Sequence, residues 1–364
     1  MNHLRFGARL LWAHATGARV PLQLNIHVTD VCNLRCAYCY VDFDHAIKDL
    51  PLDALKKAIS EARACGTERI SLEGGEPTAR KDIGDLVDPI VDLGSECNIN
   101  TNGYFIPRHV QRLKRAAMLS VSLDGPKEVH DRLRGPGSFD KAVEGIRVAR
   151  ANGIRVHILS VLTKHNRAHV DYMLGLAESL GCSWVPNSLF FMAGVKIDRE
   201  QAKEYAIDDE DYRRLLGELV EKKRLGRPIV WSESTLRYAG RWPESYFQSN
   251  MFEERAKREA GFEPVQCQAA RFFVVMQTNG DLYSCDPLLG YGKPANAVEL
   301  GFAEAFRRTT THGCVACNSI VCNEYHQLFG MRPSVIGNLL SSYKKDGPVL
   351  PPSDPAPAPA ATRE

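Results

Sequence analysis

The chain lacks any run of 18 apolar residues, so no transmembrane helix is expected. It lacks an excess of either charge. Its 46 Lys and Arg stand against 44 Asp and Glu, a formal +2, and nucleic acid is not expected as a main partner. No signal peptide is legible, and in 364 residues the 11 cysteines do not read as a disulfide framework. Cytoplasmic thiols kept reduced for metal binding fit better. Apolar residues at 44% and charged residues at 25% are those of an ordinary globular protein. The length suits one large domain plus a smaller one. From Met1 to Gly17, Leu, Phe and Trp alternate with Arg and His. A short helix packed on the domain is expected there; a membrane-surface helix and a targeting peptide are the alternatives.

What is present is Cys32-Asn33-Leu34-Arg35-Cys36-Ala37-Tyr38-Cys39. Three thiols at i, i+4 and i+7 can wrap three corners of a cubane iron–sulfur cluster. The fourth iron is left open to a small molecule. Thiolates suit such clusters and zinc alike, but zinc sites pair CxxC knuckles or add histidines, and neither lies nearby. With cysteine at about 3% of the chain, two more at these offsets recur by chance about 0.001 of the time. With Tyr38 just before the third Cys, the segment resembles the radical S-adenosylmethionine (radical SAM) signature CxxxCxxC.

A strand–helix alternation starts at residue 22. Strands are expected over Leu22–Thr29, Arg69–Glu73, Cys97–Thr101, Met118–Leu123, Val156–Thr163 and Trp184–Phe191. Helices are expected over Leu52–Cys65, Asp82–Leu93, Pro107–Ala116, Phe139–Ala151, Arg167–Leu180 and Asp208–Arg224. Six βα units imply an α/β fold, a parallel sheet with helices outside it. The resemblance implies a partial (β/α)6 TIM-like barrel, open on one side, with ligands at the C-terminal strand ends. After Pro228 short strands and turns take over, with Thr278-Asn279-Gly280-Asp281 as a hairpin signal. The expected organisation is an N-terminal helix or extension at 1–21, the partial barrel at 22–230 and a cysteine-rich domain at 231–330. A C-terminal segment at 331–347 and a disordered Pro/Ala-rich tail at 348–364 complete it.

Glu73-Gly74-Gly75-Glu76-Pro77 follows the second strand, where two glycines let backbone approach a ligand closely. The resemblance identifies it with the family's GGEP motif, whose backbone at Gly74–Glu76 meets the amino group of S-adenosylmethionine. Tyr38 and Pro77 belong to the same expected cofactor site. Asn102, Ser122 and Asp124 end the third and fourth strands and suit ribose hydroxyls and the methionyl carboxylate. The backbone around Leu162 suits an adenine edge. The stretch from Ser122 through His130 and Arg134 to Phe139 looks like the subgroup of sulfatase-maturing and peptide-modifying enzymes. Arg134 reads equally as a carboxylate partner or a surface side chain. Cys65, Cys97 and Cys182 read as small hydrophobes. His45, His130, His165 and His312 have no partner at metal spacing.

The second cysteine set is Cys267, Gly280, Cys285, then Cys314-x2-Cys317-x4-Cys322. It resembles the SPASM and twitch domains, which hold auxiliary clusters. Five cysteines in place of seven favour a twitch-like domain with one auxiliary 4Fe–4S cluster. Cys267, Cys285, Cys314 and Cys317 are the preferred ligands, and a structural zinc site is the competing reading. Cys322 is an alternative ligand or a hydrogen-atom donor; no other catalytic residue is legible.

In the chemistry the resemblance implies, a 4Fe–4S cluster on Cys32, Cys36 and Cys39 binds S-adenosylmethionine and a flavodoxin or ferredoxin supplies an electron. A 5′-deoxyadenosyl radical then abstracts a substrate hydrogen, for oxidation, epimerisation or bond formation. With no N-terminal peptide-recognition domain in view, a small molecule or natural product is expected over a peptide. The alternatives are a peptide- or protein-modifying maturase and a non-catalytic iron–sulfur electron carrier.

Overall fold

A computed structural model describes residues 3–41, 43, 48–189, 203–259 and 261–345. His45, the expected strand end at Phe191 and the tail at 348–364 lie outside the described residues. The chain opens with helix α1 (His3–Thr16). Six parallel strands follow in chain order: β1 (Gln23–Thr29), β2 (Arg69–Gly74), β3 (Glu96–Thr101), β4 (Met118–Ser122), β5 (Val156–Leu162) and β6 (Ser183–Ser188). Helices α2 (Leu52–Ala64), α3 (Gly84–Asp92), α4 (Ile106–Leu113), α5 (Lys127–Arg134), α6 (Ser138–Ala151) and α7 (Val170–Ser179) connect them, and the helix Asp209–Arg224 follows β6. This is the expected α/β partial barrel.

The helices are held by apolar stripes. In α2 the buried residues are Leu55, Ala58, Ile59 and Ala62, one face at helical spacing. They meet the outward strand residues Ile26, Leu72, Ile99, Val121 and Ile158 in one core. Each such side chain contributes about 1.5–3 kcal/mol on full burial. The alternate strand residues point the other way. Asn25, Ser71, Asn98, Ser120, His157 and Asn187 border an internal cavity. The period-2 polarity of these strands thus marks the wall of a cavity, and all seven residues of β1 are buried.

Beyond residue 231 come the helix Glu233–Gly240 and the strands β7 (Asn250–Phe252), β8 (Phe273–Met276), β9 (Asp281–Tyr283), β10 (Ala295–Asn296) and β11 (Cys314–Cys317). β7 and β11 form an antiparallel pair. β8 lies parallel to β1, with Gln23 opposite Phe273 and Ile26 opposite Met276. The expected hairpin links β8 to β9, with Gly280 at φ 90° in its turn. One nine-stranded sheet, β10-β9-β8-β1-β2-β3-β4-β5-β6, therefore crosses the 230/231 boundary drawn from sequence.

α1 is the short helix expected at the start of the chain, packed on the domain. Phe6, Leu10 and Ala13 lie with Phe272, Phe329 and the second cysteine set, the Phe6 and Phe329 rings 6.1 Å apart. Its outer face exposes Leu4, Leu11 and Trp12. Among the described residues no helix is long and apolar enough to cross a membrane.

Candidate active site

The first cysteine loop leaves the C-terminal end of β1 and crosses the mouth of the barrel. Cys32, Cys36 and Cys39 all border the internal cavity of about 370 Å³. N–H donors face each sulfur: Leu34 N–H (3.4 Å) and Asn102 Nδ2 (3.9 Å) at Cys32, Arg134 Nη1 (3.9 Å) at Cys36, Val41 N–H (3.5 Å) at Cys39. Burial pushes all three thiols up, Cys39 to about 11. At Cys36 the charge of Arg134 opposes that shift.

The Gly74-Gly75 pair is required by the loop itself. The segment Thr29–Val31 runs against it, with Gly75 N–H donating to Thr29 O (2.7 Å) and Glu76 N–H to Val31 O (2.8 Å). Gly74 sits at φ 131°, where a side chain would strike the Thr29 carbonyl. A Cβ on Gly75 would come within 2.5 Å of the Val31 oxygen. The Glu76 carboxylate is buried and fully engaged by the protein. It accepts from Thr101 Oγ1 (2.7 Å), Thr78 N–H (2.8 Å), Asn102 N–H (2.6 Å) and the Thr78 hydroxyl. It ties the motif to the end of β3, and Pro77 starts a 3-10 turn beside it. Burial nonetheless keeps the Glu76 carboxyl above its usual range.

Asp124 is placed differently from the cofactor contact expected of it. Its carboxylate is fully buried and accepts from Arg134 Nε (2.6 Å), Val161 N–H (3.0 Å) and the Tyr38 hydroxyl. Burial alone would raise this carboxyl. The charge and hydrogen bond of Arg134, helped by His130 and Tyr38, hold it below the usual range. His130 Nδ1 accepts the Asp124 N–H at 3.1 Å and is itself pushed by burial down to about 4. Arg134, one of whose two readings was a surface side chain, is 8% exposed. It spans Asp124 and Cys36 and lies over the Tyr38 ring at 5.6 Å. The i, i+4 spacing of His130 and Arg134 puts both on one face of α5, and α5 also accepts Ala37 N–H at Leu133 O (2.9 Å). Ser122, Asn102, Gly74, Gly75 and Glu76 border the cavity. Leu162 is buried at the end of β5, and its neighbour Val161 is engaged by Asp124 and by Asn166 Nδ2 (2.7 Å).

The second set converges behind β8 and β1. Cys285, Cys314, Cys317 and Cys322 are buried and Cys267 is half-buried. They share an apolar cluster with Phe272, Phe273 and Phe329. The Cys317 and Cys322 thiols are hydrogen-bonded, which with burial pushes Cys317 well up. Burial pushes Cys267 up to about 12 and pushes Cys285 well up too. Cys322, expected to be spare, acts electrostatically on each of the other four. Cys97 and Cys182 are buried in the core, with Cys65 packed against it.

Residues 26–177 match the Radical SAM superfamily. The matching segment carries the first cysteine loop and the Gly74-Gly75 turn. It is 27% identical over 282 residues to an AdoMet-dependent heme synthase of Methanosarcina barkeri, covering 73% of this chain and 76% of that one. It is 34% identical over 161 residues to a GTP 3′,8-cyclase of Mannheimia succiniciproducens, covering 41% and 48%. The chain thus spans less than half the cyclase's length. Among solved structures, SuiB of Streptococcus suis bound to its precursor peptide SuiA superposes with TM-score 0.60 at 18% identity, covering 84% of this chain and 72% of that one. Native anSMEcpe with bound AdoMet gives 0.58 at 17%, covering 90% and 96%. At these identities the structures show a shared fold.

Radical SAM proteins use a 4Fe–4S cluster with S-adenosylmethionine, and the thiol geometry fits. One zinc ion with bonds of about 2.3 Å would draw its sulfurs to roughly 4 Å apart. Among the described residues neither cysteine set brings three thiols within 4.8 Å of one another. In the first set, wider spacing is what the corners of a cubane need.

Proposed function

We propose that the chain is a radical SAM enzyme acting on a small molecule or natural product, with Cys32, Cys36 and Cys39 holding the cluster. When bound, the cluster and S-adenosylmethionine supply a 5′-deoxyadenosyl radical that takes a hydrogen atom from the substrate. The observation that carries the reading is the convergence of the three thiols on one buried cavity of about 370 Å³, a volume suited to a small ligand.

The chain's own residues orient and enclose. Gly74 and Gly75 keep the backbone close enough to meet a ligand's amino group, and Glu76 fixes that backbone to β3. Asn102 and Ser122 offer polar groups at neighbouring strand ends. Asp124 acts through Tyr38 and Arg134, holding the loop in place and setting a positive charge beside Cys36. Cys267, Cys285, Cys314 and Cys317 supply an auxiliary cluster, with Cys322 as the alternative ligand. A flavodoxin or ferredoxin serves as reductant. Action on a peptide is the second reading, and the likeness in fold to the SuiB–SuiA complex supports it.

The test is anaerobic reconstitution, reduction and detection of 5′-deoxyadenosine with methionine. Wild type is expected to form both, and Cys36→Ala neither. No cleavage by a wild type carrying its full iron content would leave the electron-carrier reading in its place.

A further inference from the structure

Apart from the cysteines, one set of side chains at and behind the cavity wall, among the described residues, has metal-binding composition. His27 lies near the C-terminal end of β1 and Glu73 near that of β2, directly opposite each other in the parallel register. Asp286 follows Cys285 and starts a 3-10 turn on the other side of β1. One ring nitrogen of His27 and one carboxylate oxygen each of Glu73 and Asp286 lie within 4.8 Å of one another. His27 Nε2 stands 3.8 Å from Asp286 Oδ1. Ligand atoms around one ion at about 2.1 Å stand roughly 3–4 Å apart, so a small inward shift closes the set.

Three observations separate this set from an ordinary buried charge cluster. His27 is 2% exposed, and its Nε2 has no hydrogen-bond partner; an imidazole nitrogen left so is costly unless something fills its lone pair. The other ring nitrogen, Nδ1, meets Gln277 Nε2 at 3.4 Å. A flip of that amide puts its oxygen there instead; Nδ1 then carries the proton and Nε2 is free to ligate, the usual arrangement behind a metal-bound histidine. Finally, the two half-buried carboxylates share the site, and among the described residues neither has an ion pair with Lys or Arg. Arg69, on the same face of β2, is engaged with Glu96 at 3.5 Å. Asn25 Nδ2 reaches Asp286 Oδ2 at 3.5 Å, which orients that carboxylate.

The geometry points to a divalent-cation site on His27, Glu73 and Asp286, distinct from both cysteine sets. One imidazole and two carboxylates suit manganese, ferrous iron or zinc and do not suit the soft ions that thiolates select. Glu73 and Asp286 border the cavity, so a cation held there adjoins whatever fills it and favours an occupant with an oxygen donor. The site does not depend on the radical-generating reading, and its test needs no S-adenosylmethionine.

The test is a titration of the full-length, anaerobically reconstituted and oxidised protein with Mn²⁺, following free Mn²⁺ by electron paramagnetic resonance. Wild type is expected to bind one Mn²⁺ per chain. Loss of an outer partner of a metal ligand typically costs 10–100-fold in affinity, so loss of a ligand itself in Glu73→Gln or His27→Gln should cost at least about 100-fold. Arg115→Met, at an exposed ion pair far from both cysteine sets in the fold, should bind as wild type does. Cluster absorbance and circular dichroism check that each variant is folded. If one variant does not fold, the other decides. Absence of saturable binding by wild type at millimolar Mn²⁺ overturns the site, as does unchanged affinity in either folded ligand variant.

Discussion

The two cysteine sites are built on opposite principles. The first is a short loop of three half-buried thiols at the mouth of a cavity, with a guanidinium at one sulfur and amide donors at the others. The second gathers five thiols, four of them buried, among phenylalanines. The open site leaves room for an exchangeable ligand, and the closed one wraps its contents in protein. Burial raises the thiols in both, but in the first set cations oppose it, Arg134 at Cys36 and Cys39 and Arg35 at Cys32. A site meant to exchange a small molecule is thus shaped by charge and hydrogen bonds, and a site meant to keep its group by packing.

The sharpest way to test that contrast is to empty the closed site alone. Cys285→Ala should remove one cluster's worth of iron and abolish substrate turnover, while uncoupled formation of 5′-deoxyadenosine continues. Iron analysis and product chromatography read the two. Unchanged turnover would deny the second site a role in the reaction.

Next comes the charge that marks the open site. Removing one partner of a buried pair leaves the other uncompensated, at a cost of about 3–5 kcal/mol. Arg134→Met is therefore expected to lower stability to urea by that order and to loosen the cluster loop. The exposed pair Arg115–Asp88 (3.0 Å) is the control, since surface pairs contribute about 0–1 kcal/mol. Equal losses in Arg134→Met and Arg115→Met would erase the distinction.

The smallest effect concerns protons. In the cluster-free protein the folded thiols titrate above their unfolded values, Cys39 at about 11 and Cys267 at about 12. Groups raised in the fold stabilise it below the unfolded value near 8.5 and lose that contribution as pH rises through the folded value. Urea midpoints of this form should fall from about pH 8.5 upward. Iodoacetamide should reach Cys39 at lower pH than Cys267, since only the thiolate reacts. His130, at about 4 in the fold, acts in the opposite direction. Its contribution is present above pH 6.5 and is lost as pH falls toward 4.

Much of this contrast was legible in the chain. The offsets of Cys32, Cys36 and Cys39, the Gly74-Gly75 turn and the gathering of five later cysteines are local patterns, and so are six strand–helix units. What escaped depends on partners far apart in sequence. That Arg134 is buried follows from Asp124 and Tyr38, which meet it only once α5 is docked. The role of Asp124 is hidden because an acidic residue at a strand end looks the same whether it faces a ligand or an arginine. The pairing of β8 with β1 joins residues 250 positions apart, and no periodicity announces it. His27, Glu73 and Asp286 stay invisible singly for the same reason.

That long-range pairing bears on how the protein is made. β1, which carries the first cysteine loop, has β2 on one side from early in synthesis. Its other edge is open until residues 273–276 have been synthesised, and an open strand edge invites pairing with other chains. Contacts of such sequence separation are also slow to form. A fragment ending at 230 would display β1 as a bare edge and expose the face of α1 that packs on Phe329, so it should aggregate where the full chain does not. The loop that is to hold the cluster is therefore seated on a sheet completed only when the cysteine-rich region arrives.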